Sequence, residues 1–147
     1  MKFLNITLFN SLTIFFLTFL LFALSAPSFT QDYKVKKVGK AFSHPWGISV
    51  FDNDEVLITE RGGNLFKVNL KNGLSSKIIN LPEVFNVRQG GLLDVLIDKE
   101  SVSERNVYIC YSSKVAGGSS TTLMAGTLKE DKLISKKILF KSNNVSE

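Results

Sequence analysis

The 147-residue chain contains a single cysteine, Cys110, and a single histidine, His44. One cysteine excludes a disulfide-stapled mini-domain and a cysteine-based zinc site. One histidine excludes any site that needs two imidazoles, and a Ser-His-acid triad would have to use His44. Charge is missing from a long stretch: after Lys2 the next charged residue is Asp32, so residues 3–31 carry none. After residue 32 no segment sustains a long 3.6-residue apolar period, and short β-rich runs between turn residues dominate instead.

The length suits one domain. Eighteen Lys and Arg against thirteen Asp and Glu give a net charge of +5. Seven of the twelve phenylalanines (Phe3, Phe9, Phe15, Phe16, Phe19, Phe22 and Phe29) lie in the uncharged stretch and account for much of the positive mean hydropathy. The remainder has an ordinary soluble composition, which excludes intrinsic disorder and a polytopic membrane protein.

Residues 1–25 read as a signal peptide. Met1-Lys2 is a short positive start, an apolar run follows from Phe3 to Leu24, and Ala23-Leu24-Ser25 offers small residues at the two positions a signal peptidase reads. Cleavage is expected after Ser25, because Pro27 would be poor immediately after a cut, with Ser28 as the alternative. An uncleaved anchor is the competing reading, since the run is long enough to span a bilayer. Either way the following residues are exported, and one unpaired cysteine suits the periplasm. Asn5 and Asn144 begin glycosylation sequons of little weight.

Beyond the leader, the pattern predicts Tyr33–Val38 as a first strand within an N-terminal segment, 26–41. Two sets of four strands follow in 42–147: 47–51, 55–60, 64–70 and 74–79, then 92–97, 107–112, 121–128 and 133–140. Phe66, Val68 and Leu70 share one face, Lys67 and Asn69 the other. Gly62-Gly63 and Asn72-Gly73 are hairpin turns, and Val115–Ser120 reads as a loop. Gly47-Ile48 and Gly91-Leu92 open the two sets, 44 residues apart. Four strands in about 40–45 residues is the spacing of a β-propeller blade; spacing alone leaves a sandwich or barrel open. A propeller closes with at least about four blades. Two blades are therefore expected to be part of a larger ring, with Tyr33–Val38 completing its last blade. A small complete β-domain that self-associates is the other possibility.

Four segments in order narrow this further: Ser43-His44-Pro45-Trp46-Gly47-Ile48, Val56-Leu57-Ile58-Thr59-Glu60-Arg61, Arg88-Gln89-Gly90-Gly91-Leu92-Leu93-Asp94-Val95 and Val107-Tyr108-Ile109-Cys110-Tyr111-Ser112. Together they resemble the opening of the glucose/sorbosone dehydrogenase family, which includes the soluble quinoprotein aldose dehydrogenases. The resemblance runs from about Val38 to Phe140. It implies an all-β, six-bladed propeller of which this chain holds about the first two blades. It also implies pyrroloquinoline quinone (PQQ) with calcium, an aldose substrate oxidised at C1 to the lactone, and an external electron acceptor. Gln89 matches the family's glutamine that contacts substrate and cofactor, with Gly90 and Gly91 letting backbone approach there. The family's catalytic histidine, its PQQ-gripping cations and its calcium ligands match positions beyond residue 147. No catalytic or metal residue is therefore expected in this chain, which is expected to be inactive alone. Asp52-Asn53-Asp54 and Asp98-Lys99-Glu100-Ser101 depart from the family's usual turns. A propeller that binds protein or carbohydrate without redox chemistry is the alternative.

Other residues read more plainly. His44, beside Pro45 and Trp46, reads as a strand-entry or packing residue, and Trp46 as a core aromatic. Gln89 could instead merely cap backbone groups. Neighbouring Glu60 and Arg61 point to opposite faces, and Arg61 is expected to bond loop carbonyls. Asp94 is expected to satisfy backbone, and Cys110 to be a small buried side chain. Asp52, Asp54 and Glu55 lack the ligand spacing of a calcium loop. Lys34, Lys36, Lys37 and Lys40 form the one basic cluster, without the aromatic-basic pattern of a nucleic-acid site.

Overall fold

The structure, a computed structural model, describes residues 13–19, 31–100 and 105–146. It divides into two compact units, Met1–Lys36 and Lys37–Glu147. In the first unit residues 13–19 are helical, with the Thr18 hydroxyl donating back to the carbonyls of Ile14 and Phe15 at 3.0 Å. No helix among the described residues is long and apolar enough to cross a membrane. The positive start, Asn5, and the cleavage positions Ser25 and Ser28 lie outside the described residues. Tyr33–Val38, expected as a strand, forms none among the described residues. An extended segment pairs its backbone groups only against a partner strand, and these residues have none here.

Among the described residues the second unit contains eight strands: β1 Pro45–Val50, β2 Glu55–Glu60, β3 Asn64–Asn69, β4 Ser75–Lys77, β5 Leu92–Ile97, β6 Arg105–Val115, β7 Gly118–Lys129 and β8 Lys132–Lys141. They form two four-stranded antiparallel sheets, each in simple sequential order. The two sets expected from the sequence are thus the two sheets. Their turns carry the residues that tight reversals demand: Gly63 and Gly73 have φ of 104° and 73°. The β6–β7 hairpin is longer than its apolar pattern indicates, with pairing that continues to Val115↔Gly118. The loop expected at 115–120 is therefore mostly strand. Its polar residues pair through backbone and hydroxyls, including Ser113 Oγ with Thr122 Oγ1 at 2.8 Å, so no apolar alternation marks them.

Side-chain alternation sends the two faces of the first sheet to different places. Leu57 pairs with Lys67 and Thr59 with Leu65, on the face turned to the second sheet. Leu57, Leu65 and Ile78 join Leu92, Val95, Ile97, Val107, Ile109 and Leu133 in one core between the sheets. Fully burying each such side chain is worth about 1.5–3 kcal/mol. The opposite face holds Val56, Phe66 and Val68, with Phe42 and Ile58 packed on them. Phe66 and Val68 do share a face, as expected. The Lys67 side, though, carries the inter-sheet core, because Lys67 stands at its rim and pairs with Asp131 at 3.0 Å.

Residues 37–42 lie along that outer face. Gly39 meets the β3–β4 turn so closely that a Cβ there would come 2.8 Å from the Gly73 carbonyl oxygen. Lys40 Nζ stands 4.3 Å from the Phe66 ring centroid, a cation–π contact. Trp46, expected in the core, is half exposed on β1, beside exposed Ile48 and Val50 on the same face. The residues that pack inward from β1 are the small ones, Gly47 and Ser49. Between sheets this close, only they fit: a Cβ on Gly47 would come 3.0 Å from Asp94 Cα.

Candidate functional site

The segment between the sheets, residues 85–91, forms a compact turn held at both ends by β6. Phe85 N–H donates to the Ser112 carbonyl at 2.7 Å, and Ser112 N–H donates to the Gly91 carbonyl at 2.8 Å. Gly90 N–H closes the turn onto the Val87 carbonyl at 2.8 Å. Arg88, at the second position of that turn, has φ of 53°, a left-handed conformation that a non-glycine residue adopts only when its surroundings hold it.

Arg61 supplies that hold. Its guanidinium Nη1 donates to the Arg88 carbonyl at 2.7 Å, and its own carbonyl accepts from Leu92 N–H at 2.9 Å. The expectation that Arg61 bonds loop carbonyls is met. Glu60 turns to the other face, as expected. It is buried and accepts from Ser43 N–H at 2.6 Å and Asn64 Nδ2 at 2.7 Å. Burial alone would raise its pKa, but the bonds from Asn64 and Ser43 and the charges of Lys40 and Lys77 outweigh that and hold it below the usual glutamate value.

The glycines are needed for the chain's own packing. A Cβ on Gly90 would lie 2.7 Å from the Phe85 carbonyl oxygen. Gly91 has φ of 144°, and a Cβ there would strike the Arg61 carbonyl oxygen. The close backbone approach expected at this pair is therefore made by strands and turn of the same chain.

Gln89 sits at the crest of the turn, exposed, and its side chain makes no hydrogen bond among the described residues. It therefore does not cap backbone groups. It lines a concave pocket of about 500 Å³ together with Arg88, Leu93, Ser112, Thr121 and Asn144, among others, a size suited to a small molecule. Most of the facing wall is hydroxyl and amide, from the ends of β6 and β7 and from residues 142–146. Ser119 and Ser146 exchange backbone hydrogen bonds there at 2.8 and 2.9 Å. The sequence reading missed this wall. Its visible signal was the cluster Ser119-Ser120-Thr121-Thr122 beside Gly117-Gly118.

His44 does not line the pocket. It is exposed, with Nδ1 3.2 Å from Ser43 Oγ, and its carbonyl accepts from Arg61 N–H at 3.0 Å. Its φ of 49° makes it a strand-entry corner. Asp94 Oδ1 accepts from Val95 N–H at 2.8 Å, the backbone role expected of it. Cys110 is half-buried rather than fully buried; burial, with the Asp94 charge, pushes its thiol up, away from the reactive thiolate. Among the described residues no three His, Cys, Asp or Glu side chains come together as a metal site.

Two sequential four-stranded antiparallel sheets, packed face to face with a pocket beside the turn that joins them, are successive blades of a β-propeller. The sequence profile of the Glucose / Sorbosone dehydrogenase family matches residues 42–147, and the chain belongs to that family. It is 36% identical over 90 residues to the aldose sugar dehydrogenase of Escherichia coli (strain K12), covering 60% of this chain and 24% of that protein. It is 26% identical over 117 residues to an uncharacterized Synechocystis protein, covering 74% and 28%. A crystal structure of glucose dehydrogenase superposes with a TM-score of 0.70 at 30% identity, over 77% of this chain and 34% of that one. The apo-form of the soluble E. coli aldose sugar dehydrogenase gives 0.64 at 31% identity, over 70% and 31%. The PQQ-bound aldose sugar dehydrogenase of Streptomyces coelicolor, at 20% identity and a TM-score of 0.62, shares the fold. The chain thus spans 24–28% of the length of these curated relatives.

Proposed function

We propose that this chain is the N-terminal part of an exported, periplasmic, PQQ- and calcium-dependent dehydrogenase that oxidises the C1 hydroxyl of an aldose, and that Gln89 is its contribution to the site. The observation that carries the reading is an unengaged amide, Gln89, on the rim of a polar pocket in a chain of this family. An amide donates and accepts at once, which matches a sugar hydroxyl or a quinone oxygen.

The residues described fit only part of such a site. Gln89 supplies a neutral hydrogen-bonding contact, and Arg88 is the one cationic residue on the pocket wall. No described cluster offers calcium its carboxylates. When bound, PQQ supplies the redox chemistry, while the protein's task is to bind and orient. Here Gln89 orients one edge of the ligand, and the hydroxyl wall faces it. No described residue lining the pocket is a general base.

The test is dye reduction with PQQ, calcium and a panel of aldoses, run on the 147-residue chain and on any longer product of the same gene. The expected result is no turnover by the short chain and PQQ-dependent turnover by the longer one. Turnover by the short chain, or none by a longer PQQ-loaded product, would sink the proposal. The second outcome would leave a propeller that binds without redox chemistry.

A further inference from the structure

The Gln89 side chain makes no hydrogen bond among the described residues, so something else must fix where its amide points. The turn that carries it cannot do so alone. Its second residue, Arg88, is left-handed at φ 53°, a conformation that is costly for a side chain with a Cβ. Gly90 and Gly91, on the other side, lack the Cβ that would restrict their own backbone and depend on contacts to neighbours for their conformation. Two contacts to one residue of the β2–β3 turn oppose this. The Arg61 guanidinium donates to the Arg88 carbonyl at 2.7 Å. The Arg61 carbonyl, on the same backbone, accepts from Leu92 N–H at 2.9 Å. Arg61 in turn is anchored through its own N–H to the His44 carbonyl at 3.0 Å. One residue of the first blade therefore grips the turn of the second blade on both sides of Gln89.

We propose that Arg61 is a positioning residue: its guanidinium holds the left-handed Arg88 peptide and thereby presents the Gln89 amide to the pocket. The chemistry favours arginine. A guanidinium stays charged and offers several donors in a fixed plane, so it can hold a carbonyl while its stem lies along the backbone. The stem is close: a Cβ on Gly91 would lie 2.8 Å from Arg61 Cγ. Gly91 is then glycine because the Arg61 backbone and stem occupy the space beside it. The ligand role of Gln89 rests on the function proposed above, whereas the grip on the turn does not.

The two contacts can be separated, because one uses the side chain and the other the backbone. The 147-residue chain is compared with Arg61→Met and Arg61→Lys by residue-resolved amide hydrogen exchange and by the Gln89 side-chain NMR signals. In Arg61→Met, exchange at Gly90 is expected to rise roughly three- to tenfold, the scale of one solvent-accessible hydrogen bond. The Gln89 side-chain signals are expected to shift. Leu92 is expected to stay protected, since its acceptor is the Arg61 backbone. Arg61→Lys restores part of the Gly90 protection and is the variant to read if Arg61→Met does not fold. Unchanged Gly90 and Gln89, or a uniform rise at every amide, would overturn the proposal. The PQQ arm is run on a longer product of the same gene and on its Arg61→Lys variant. Weaker PQQ-induced shifts at Gln89 in the variant, at equal Tm, support positioning; equal shifts in both count against it. If PQQ leaves wild-type Gln89 unmoved, the ligand reading fails, and exchange without PQQ alone decides on the grip.

Discussion

Thr59 and Leu93, 34 residues apart, are joined across the two sheets by a hydrogen bond from the Thr59 hydroxyl to the Leu93 carbonyl at 3.2 Å. The same hydroxyl accepts from Gly47 N–H at 2.7 Å. Thr59 is fully buried, so water cannot replace either partner. Thr59→Val keeps the shape and leaves a buried N–H and a carbonyl unpaired. We expect a loss of about 1–3 kcal/mol, read as a lower urea midpoint with an unchanged m-value. Thr59→Ser should recover most of it.

Gly91 tests the closeness of the blades at the turn. An alanine there needs an unfavourable φ of 144° and places its methyl against the Arg61 carbonyl. Gly91→Ala is expected to cost at least roughly 1–3 kcal/mol and to lower Tm clearly. Gly117→Ala, whose added methyl would find its nearest neighbour at 3.9 Å but whose φ is 82°, is expected to cost less because only the backbone preference opposes it.

Glu60 predicts how stability depends on acid. Its pKa is held down in the folded state, so its contribution is complete above the unfolded carboxylate pKa. That contribution is lost as pH falls through the folded value, in the region below about 4.5. Asp131, held down chiefly by its bond from Lys67, adds in the same direction. Glu60→Gln should be less stable than wild type at pH 7 and should lose less on going from pH 6 to pH 3. Urea unfolding of both proteins across that range checks it; parallel curves would contradict the assignment.

Gln89 should behave in the opposite way to these three. It is exposed and makes no hydrogen bond among the described residues, so Gln89→Ala is expected to change stability by less than about 0.5 kcal/mol. Its effect should appear only in ligand binding or in turnover of a longer product. A large fall in Tm would mean that Gln89 serves the fold.

Much of this was legible in the sequence because the signals were local. Glu55–Glu60 and Leu92–Ile97 were placed to the residue, since each is a short apolar run bounded by turn residues. Arg61 was read correctly from strand alternation alone. The motif that carries Gln89 does form a turn, and Gln89 does line a pocket.

What failed was non-local. Trp46 looks like a core residue by chemistry, yet β1 packs inward through Gly47 and Ser49, because the sheets approach too closely for anything larger. The hydroxyl wall of the pocket was legible only in part: the Ser119–Thr122 cluster is a local signal, but its meeting with Ser142 and Asn144 joins segments far apart in the chain.

The sequence by itself determined the period of the strands, the turns between them and the family, since each depends on residues close together or on motifs in order. Only the tertiary structure decided which face of the first sheet is core, why Gly91 must be glycine, and that Arg61 grips the turn of Gln89. Those facts depend on distances between segments 27 or more residues apart, and side-chain chemistry read along the chain carries no record of such distances.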